Sequence, residues 1–391
     1  MQPSLSAGVQ SLQIIEAFDH FEMVYGWSEL LREMDWKVTF HVSPKYRDEL
    51  QAHFGAIDHL QFLGPQRGES WPRYLKQLRD SPTTLWIVTT VGRRPGWFYP
   101  MRTFKRLYFV LHDLNYYFEV RDVPPGIWVG IHSRFQEWLS HFRRKNIRRL
   151  LTYGSGFIYP TPTLQEFGAG YAPYPGKIHQ QLPFAVPRTP LLMGMRKRDR
   201  LRIVIPGSVN TTTRDYGPLE IALRMVAKRQ RIMLDIHFAG MVKDAEIVKQ
   251  IRENVADVTG IHSADRLLNL EFYPSGLSHN HYEELMASAD LLVAPLMRLV
   301  RIGGVWENVG TTKISGSFFD AVRFGKRLYV PTWYDPSVTA LYHYGDAEDL
   351  AEQICEVASL DSIPPVHYPG FTREAARQLF SKLLKAAPTS G

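Results

Sequence analysis

The chain has 391 residues, of which 45% are hydrophobic and 22% charged, with a formal net charge of +7. This is the balance of a globular protein of about two domains, and it excludes a fibre and a wholly disordered chain. One cysteine, Cys355, excludes an internal disulfide and any multi-cysteine metal site.

The longest uncharged apolar runs, such as 291–297, fall far short of the roughly 18 residues of a membrane-spanning helix. The opening MQPSLSAGVQSLQ has no basic stretch followed by an apolar one, so no secretory signal is expected. The expected location is cytoplasmic, extending to a peripheral place at the inner face of a membrane. Residues 1–188 carry 22 Lys and Arg against 16 Asp and Glu, and residues 189–391 carry 24 against 23. A basic half beside a nearly neutral half implies different partners for the two.

In chain order, 12–18 is a short apolar run, and 27–34 puts Trp27, Leu30, Leu31 and Met34 on one helical face. Residues 37–42 alternate and are rich in β-branched and aromatic side chains, which predicts a strand. Buried strands are predicted at 85–91 and 107–111. The spacing is that of βαβ units, hence a mostly parallel sheet covered by helices. Residues 153–190 are dense in Pro, Gly and Tyr, which predicts turns and loops with few helices, ending in the crossing to a second domain. The α/β rhythm then restarts. Strands are predicted at 201–205, 233–239, 268–273, 290–294 and 327–330. Helices are predicted at 218–229, 244–255, 281–289, 315–324 (with Gly325 as C-cap), 346–357 and 372–384. The fold class is α/β, with two Rossmann-like doubly wound domains, 1–188 and 189–365. Their strand carboxyl ends would share a cleft, where ligands bind close to helix N-termini.

Four loops are candidates for chemistry. In 206–216, Gly207 lets the backbone approach a ligand, and Ser208, Asn210 and three threonines precede Arg214. Arginine's planar fork suits a diphosphate, though the same residues also suit a capped helix with a surface Arg–Asp pair. In 303–330, a glycine-rich stretch leads through Gly310, Thr311, Thr312 and Lys313 into a helix. Free amides, the helix dipole and the lysine would face an anion. Asp320, seven residues after Lys313, would reach ribose hydroxyls. A buried helix with a solvated lysine is the plainer reading, and the small residues exceed what it needs. In 108–118, a strand ends at His112 and Asp113, where an imidazole would orient a sugar hydroxyl or move a proton. Such a histidine is also often satisfied by local backbone.

The fourth candidate is a basic, aromatic surface. Residues 93–106 combine Arg93, Arg94, Arg102, Lys105 and Arg106 with Trp97, Phe98 and Tyr99. Residues 134–151 interleave Phe135, Trp138, Leu139, Phe142 and Ile147 with five cations from Arg143 to Arg149. Such segments lie on anionic bilayers, and they also form solvated faces of a domain. No RNA or DNA motif accompanies them, so no nucleic acid is expected. Walker, G-x-G-x-x-G, HExxH and GxSxG motifs are missing. His279 and His281 stand near Glu283 and Glu284, but SHNHYEEL reads better as a capped helix start than as a metal site.

Several stretches, in order, resemble GT-B glycosyltransferases of the large retaining group that carries E-x7-E. IPGSVNTTTRDYGPLEIAL is similar to that group's first C-terminal strand, phosphate loop and helix. LEFYPSGLSHNHYEELMASADLLVAPL is similar to its nucleobase segment, and TKISGSFFDAVRFGKRLYVP to its acidic helix and following strand. EMVYGWSELLREMDWKVTF and VLHDLN resemble N-terminal elements. The resemblance implies transfer of a hexose from a UDP- or GDP-linked donor to a glycan or lipid-linked acceptor, in polysaccharide or glycoconjugate synthesis. Retention of configuration is implied, with no cofactor and no metal. Donor contacts would come from Gly207, Ser208, Arg214, Tyr273, Gly310, Thr311, Thr312, Lys313 and Asp320, and chemistry from His112 and Asp113. The N-terminal domain would hold the acceptor, and the tail, 366–391, would cross back to it. Two departures stand out: Thr312 occupies the first glutamate's place, with Glu307 near enough to substitute, and Asp19-His20-Phe21-Glu22 replaces an early Gly-Gly loop. A non-catalytic partner subunit and a nucleotide-sugar epimerase or hydrolase are the alternatives.

Overall fold

A computed structural model describes residues 11–386 except 19, 35, 81–83, 92–93, 119–130, 189–199, 230–232 and 257–267. Asp19, Arg93 and the side chains of Phe135, Trp138 and Leu139, singled out above, lie outside the described residues.

The first domain is a seven-stranded parallel sheet built from β1 (Ser11–Glu16), β2 (Lys37–Val42), β3 (Leu60–Leu63), β4 (Thr84–Val88), β5 (Leu107–Val110), β6 (Gly156–Tyr159) and β7 (Ile178–Gln181). Its order is β3-β2-β1-β4-β5-β6-β7. The second sheet has six parallel strands: β8 (Arg200–Ile205), β9 (Met233–Met241), β10 (Leu268–Tyr273), β11 (Leu291–Val293), β14 (Arg327–Pro331) and β15 (Tyr342–Tyr344). Its order is β10-β9-β8-β11-β14-β15. Every residue of β4, β5 and β6 is buried, as strands covered on both faces require. In each sheet the order reverses beside the first strand of the domain, at β1/β4 and at β8/β11. A crevice opens at such a switch point, outside the strands' carboxyl ends.

Two regions differ from the expectation. Residues 153–190 are not mainly loop: they supply β6, a helix at Pro162–Tyr171 and β7. GFIY is short but wholly apolar in its setting, and Thr161 caps the helix that Pro162 opens, its hydroxyl accepting from the Leu164 amide. The prolines and glycines thus mark element ends. Before the acidic helix, the glycine-rich stretch is an antiparallel hairpin, β12 (Leu299–Ile302) and β13 (Val305–Asn308). Gly303 and Gly304 turn it with φ of 55° and 87°, the two positive values of a tight hairpin turn.

The tail helix, Arg373–Ala386, buries Ala376, Phe380 and Leu383 among first-domain residues. Phe380 meets the Trp27 ring edge-on at 5.4 Å, and Trp27 donates to Pro183 O at 2.7 Å. Among the described residues no helix is long and apolar enough to cross a membrane.

One buried polar knot ties the second sheet together. Asp235 on β9, 2% exposed, accepts from Arg202 Nε at 3.1 Å and from Asn269 Nδ2 at 2.9 Å, with His237 Nε2 at 3.2 Å. Burial opposes ionisation, but hydrogen bonds from His237, Asn269 and Arg202 hold its carboxyl well below the usual range. Asp235→Ala is expected to lower unfolding free energy by about 3 kcal/mol, because donors on three strands lose their acceptor. Urea unfolding with an unchanged slope checks this.

Candidate active site

A cavity of about 740 Å³ lies between the two domains, at the carboxyl ends of both sheets. The second domain lines it with Gly207 and Ser208 after β8, Gly240 at the carboxyl end of β9, Gly276 after β10, and Ser317 and Asp320 of the helix Gly316–Phe324. The first domain contributes Glu22, Lys45, Tyr46 and Phe184.

Gly207 has φ 94°, and a Cβ on Gly240 would stand 2.1 Å from Gly207 O. The end of β9 therefore touches the loop after β8, and the floor is peptide rather than side chain. Asn210 fixes the loop that follows: its Oδ1 accepts from the Thr212 and Thr213 amides, both at 3.0 Å. Asp215 N donates to Pro295 O at 2.9 Å and Met297 N to Thr213 O at 3.2 Å, so Arg214 leaves a pinned backbone. The residue is 8% exposed. Nη2 donates to Pro206 O at 2.8 Å and Ser317 Oγ at 3.1 Å, while Nη1 is buried with no partner among the described residues. A held arginine with one unpaired donor suits an anion.

Asp320 stands on the same helix as Ser317. Burial pushes its carboxyl up to about 7; a hydrogen bond from Tyr282 and the charge of Arg323 oppose this, and Glu22 and Glu283 add to it. Ser315 caps the helix, its Oγ accepting from Ser317 N at 3.3 Å, and Gly316 beside it lines the cavity.

The other expected donor residues lie elsewhere. Thr311, Thr312 and Lys313 all donate their amides to Asn308 O, at 3.1, 2.9 and 3.2 Å, and Gly310 N donates to Lys313 O at 2.7 Å. Lys313 Nζ donates to Asp113 Oδ1 at 2.5 Å, and Leu114 N donates to Thr312 O at 2.9 Å. Glu307, 0% exposed, accepts from Asn115 N at 3.2 Å, Tyr116 N at 2.8 Å and Thr312 Oγ1 at 2.7 Å. Gly310, Thr311, Thr312, Lys313 and Glu307 thus belong to a seam that joins the hairpin region to the first domain. The seam ends beside His112, whose Nε2 is 3.5 Å from Asp113 Oδ2. Burial pushes His112 down to about 3, so its ring is neutral at physiological pH, and its Nδ1 is buried without a partner among the described residues. Tyr273 gives its hydroxyl to His237 Nδ1 at 2.8 Å.

Of the residues the sequence reading did not place here, Glu22 and Arg323 line the cavity and His20 stands beside it without lining it, as does His112. His20 lies against His112 with ring centroids 4.8 Å apart. Desolvation would lower its pKa, but Glu22, hydrogen-bonded at 3.2 Å, raises it to about 9, so His20 is an imidazolium. Arg323, 5% exposed, lies over the Tyr25 ring at 4.6 Å, pairs with Glu283 at 3.2 Å and donates to Glu22 O at 3.3 Å. The only local signal for Arg323 is its position three residues after Asp320, on the same helical face. Among the described residues no group of three His, Cys, Asp or Glu could hold a metal ion. The Ser278 hydroxyl caps the helix at His279–Ser288, as the sequence suggests.

No protein-family model and no curated protein sequence matches the chain. Among solved structures, HepE from Anabaena, in complex with UDP and glucose, aligns with 96% of this chain and 99% of its own at TM-score 0.52 and 10% identity. The UDP-GlcNAc 2-epimerase of Neisseria meningitidis aligns with 96% of this chain and 100% of its own at TM-score 0.51 and 11% identity. The lipopolysaccharide outer core galactosyltransferase WaaB aligns with 97% of this chain and 99% of its own at TM-score 0.51 and 10% identity. The chain spans only 55% of the length of TarM, at TM-score 0.45. What it shares with its full-length neighbours is the GT-B architecture, two parallel α/β domains facing one cleft.

Proposed function

We propose that the chain is a glycosyltransferase. It takes a hexose from a UDP- or GDP-linked donor in the second domain and gives it to a glycan or lipid-linked acceptor at the first. The observation that carries this reading is Arg214, anchored on one arm and unpaired on the other, in the wall of the interdomain cavity. Its unpaired Nη1 and the N-terminus of the helix Gly316–Phe324 supply positive charge where a diphosphate would depart. Asp320 offers two acceptor oxygens to ribose hydroxyls. Neutral His112 is the group that would meet the reacting sugar. Asp113 and Glu307 act on it through the seam, by holding the backbone on which it sits. The imidazolium of His20 adds a cation from the acceptor side. That HepE and the Neisseria epimerase were crystallised with UDP or UDP-GlcNAc supports the nucleotide, and the galactosyltransferase WaaB supports the reaction class.

One observation favours a second reading. Thr312 replaces the expected glutamate, and Lys313 and Glu307 are both engaged in the seam, which is how a non-catalytic binding subunit would use that loop. Thermal shifts with UDP, GDP, ADP, CMP and dTDP separate the two. One diphosphate is expected to raise the melting temperature, because ligand binds only the native state. Silence across the panel would leave the non-catalytic reading. Turnover of donor without acceptor would indicate an epimerase or hydrolase. The anomeric configuration of the product, read by proton NMR, tests the retaining outcome.

A further inference from the structure

We infer that one cationic flank of the first domain docks on an anionic lipid bilayer, and that this bilayer carries the acceptor. The second half rests on the transferase reading; the first half stands on the surface itself. Two separate segments build the flank. The helical turns at Pro95–Thr103 pack on the long helix Ile131–Leu151, where the Tyr99 hydroxyl donates to Asn146 Oδ1 at 3.2 Å. Around this contact Arg94, Arg102, Lys105, Arg143, Lys145 and Arg149 are exposed. Residues 94–106 and 141–154 contain no Asp or Glu. At the flank's edge, Asp80 accepts from the Lys105 amide at 3.0 Å.

The fold does not require this clustering. Among its described side chains, the long helix packs through Ile147, Leu150 and Leu151, all 0% exposed. Its outer line is Phe142, Lys145 and Arg149, three and four residues apart, with like charges that repel one another. A counter-charge from outside the molecule relieves that repulsion. Phe142, 49% exposed amid the cations, selects its kind. A bilayer offers phosphate to the cations and apolar depth to the ring.

A chain of side-chain contacts leads from the flank toward the cavity. Arg94 lies over the Trp97 ring at 4.8 Å, and Trp97 stacks on Phe18 at 5.3 Å and 9°. Phe18 precedes His20 by two positions, and His20 is hydrogen-bonded to Glu22 in the cavity wall. An acceptor anchored in the bilayer would reach the cavity past Trp97.

Co-sedimentation of the full chain with vesicles of phosphatidylcholine alone, and of phosphatidylcholine mixed with phosphatidylglycerol, tests this. The chain is expected to sediment with the mixed vesicles only, less so as salt rises. The triple variant Arg143→Glu, Lys145→Glu, Arg149→Glu should lose at least about tenfold in partitioning, with melting temperature and nucleotide response unchanged. If the triple variant melts early, Arg94→Glu with Arg102→Glu, on the other segment, should give the same loss. No binding to mixed vesicles, equal binding to neutral ones, undiminished binding by both variants, or preference for single-stranded RNA over vesicles would each overturn the docking. Vesicle binding without any nucleotide response would keep the docking and remove the transferase reading, and the reverse result would do the opposite.

Discussion

Arg214→Ala is expected to weaken binding of the stabilising nucleoside diphosphate by about a hundredfold. The guanidinium is already held by Pro206 O and Ser317 Oγ, so binding costs little further side-chain ordering. A charge-assisted hydrogen bond contributes about 1.5–3 kcal/mol, and contact with both terminal oxygens of a phosphate brings the sum to roughly 3 kcal/mol, which is about two decades in affinity. Arg214→Lys keeps a charge but loses the fork and its anchors, so it should fall between wild type and alanine. The free protein should behave in the opposite sense. A buried donor without a partner costs about 1–3 kcal/mol, so Arg214→Met, which fills similar space without that donor, should be at least as stable as wild type. Calorimetric titration and urea unfolding on the same samples read both effects. Wild-type affinity in Arg214→Ala would remove this residue from the site.

The position of Arg214 in the cavity wall was legible in the sequence because its signal is local: a strand, a glycine, a run of hydroxyls and an arginine before a helix. The second domain was legible for a similar reason. Its strands are short apolar runs between turn residues, and the strand expected at 268–273 is Leu268–Tyr273. The first domain was less so. Leu60–Leu63 alternates over only four residues, and GFIY lies in a stretch whose prolines and glycines suggest loop. Both become strands because neighbours pair with them in a growing sheet, which is a tertiary cause.

The seam was misplaced for an instructive reason. Glycines leading to a threonine pair and a lysine before a helix look like an anion cradle. The same amides close a turn on Asn308 O, and the lysine meets Asp113, 200 positions away. Local pattern reveals a charge but not what neutralises it. His20 and Glu22 were overlooked as site residues by the same logic in reverse. Their segment stood out as a departure from a glycine loop, while what they do depends on His112 and Arg323 across the fold.

Glu307→Ala is expected to cost about 4 kcal/mol of stability, more than any other single change in the seam. It would strip three buried donors, the amides of Asn115 and Tyr116 and the Thr312 hydroxyl, of their common acceptor, at about 1–3 kcal/mol each before relaxation. Glu307→Gln should cost about 2 kcal/mol, since one oxygen still accepts from Tyr116 and the amide group can donate to Thr312, while the Asn115 amide loses its acceptor. The pH dependence separates this role from simple packing. Burial, with the negative charge of Asp113, raises the Glu307 carboxyl to about 8, against the Thr312 and Tyr116 hydrogen bonds and Lys313. In the unfolded chain it titrates at about 4.3. A raised carboxyl contributes stability that is fully present below the unfolded value and is lost as pH rises through the folded one. Wild-type stability should therefore carry a falling component between about pH 4 and pH 8. Glu307→Gln, which has no proton to exchange, should lack it. Asp113 runs the other way: Lys313 holds it low despite burial, so its contribution is present above about pH 4 and lost only in stronger acid, outside that window. Urea midpoints across the range, in wild type and Glu307→Gln, decide the matter. If the two curves run parallel, Glu307 is ionised throughout, and the seam is an ordinary set of hydrogen bonds to a carboxylate rather than a join that loosens as its proton leaves.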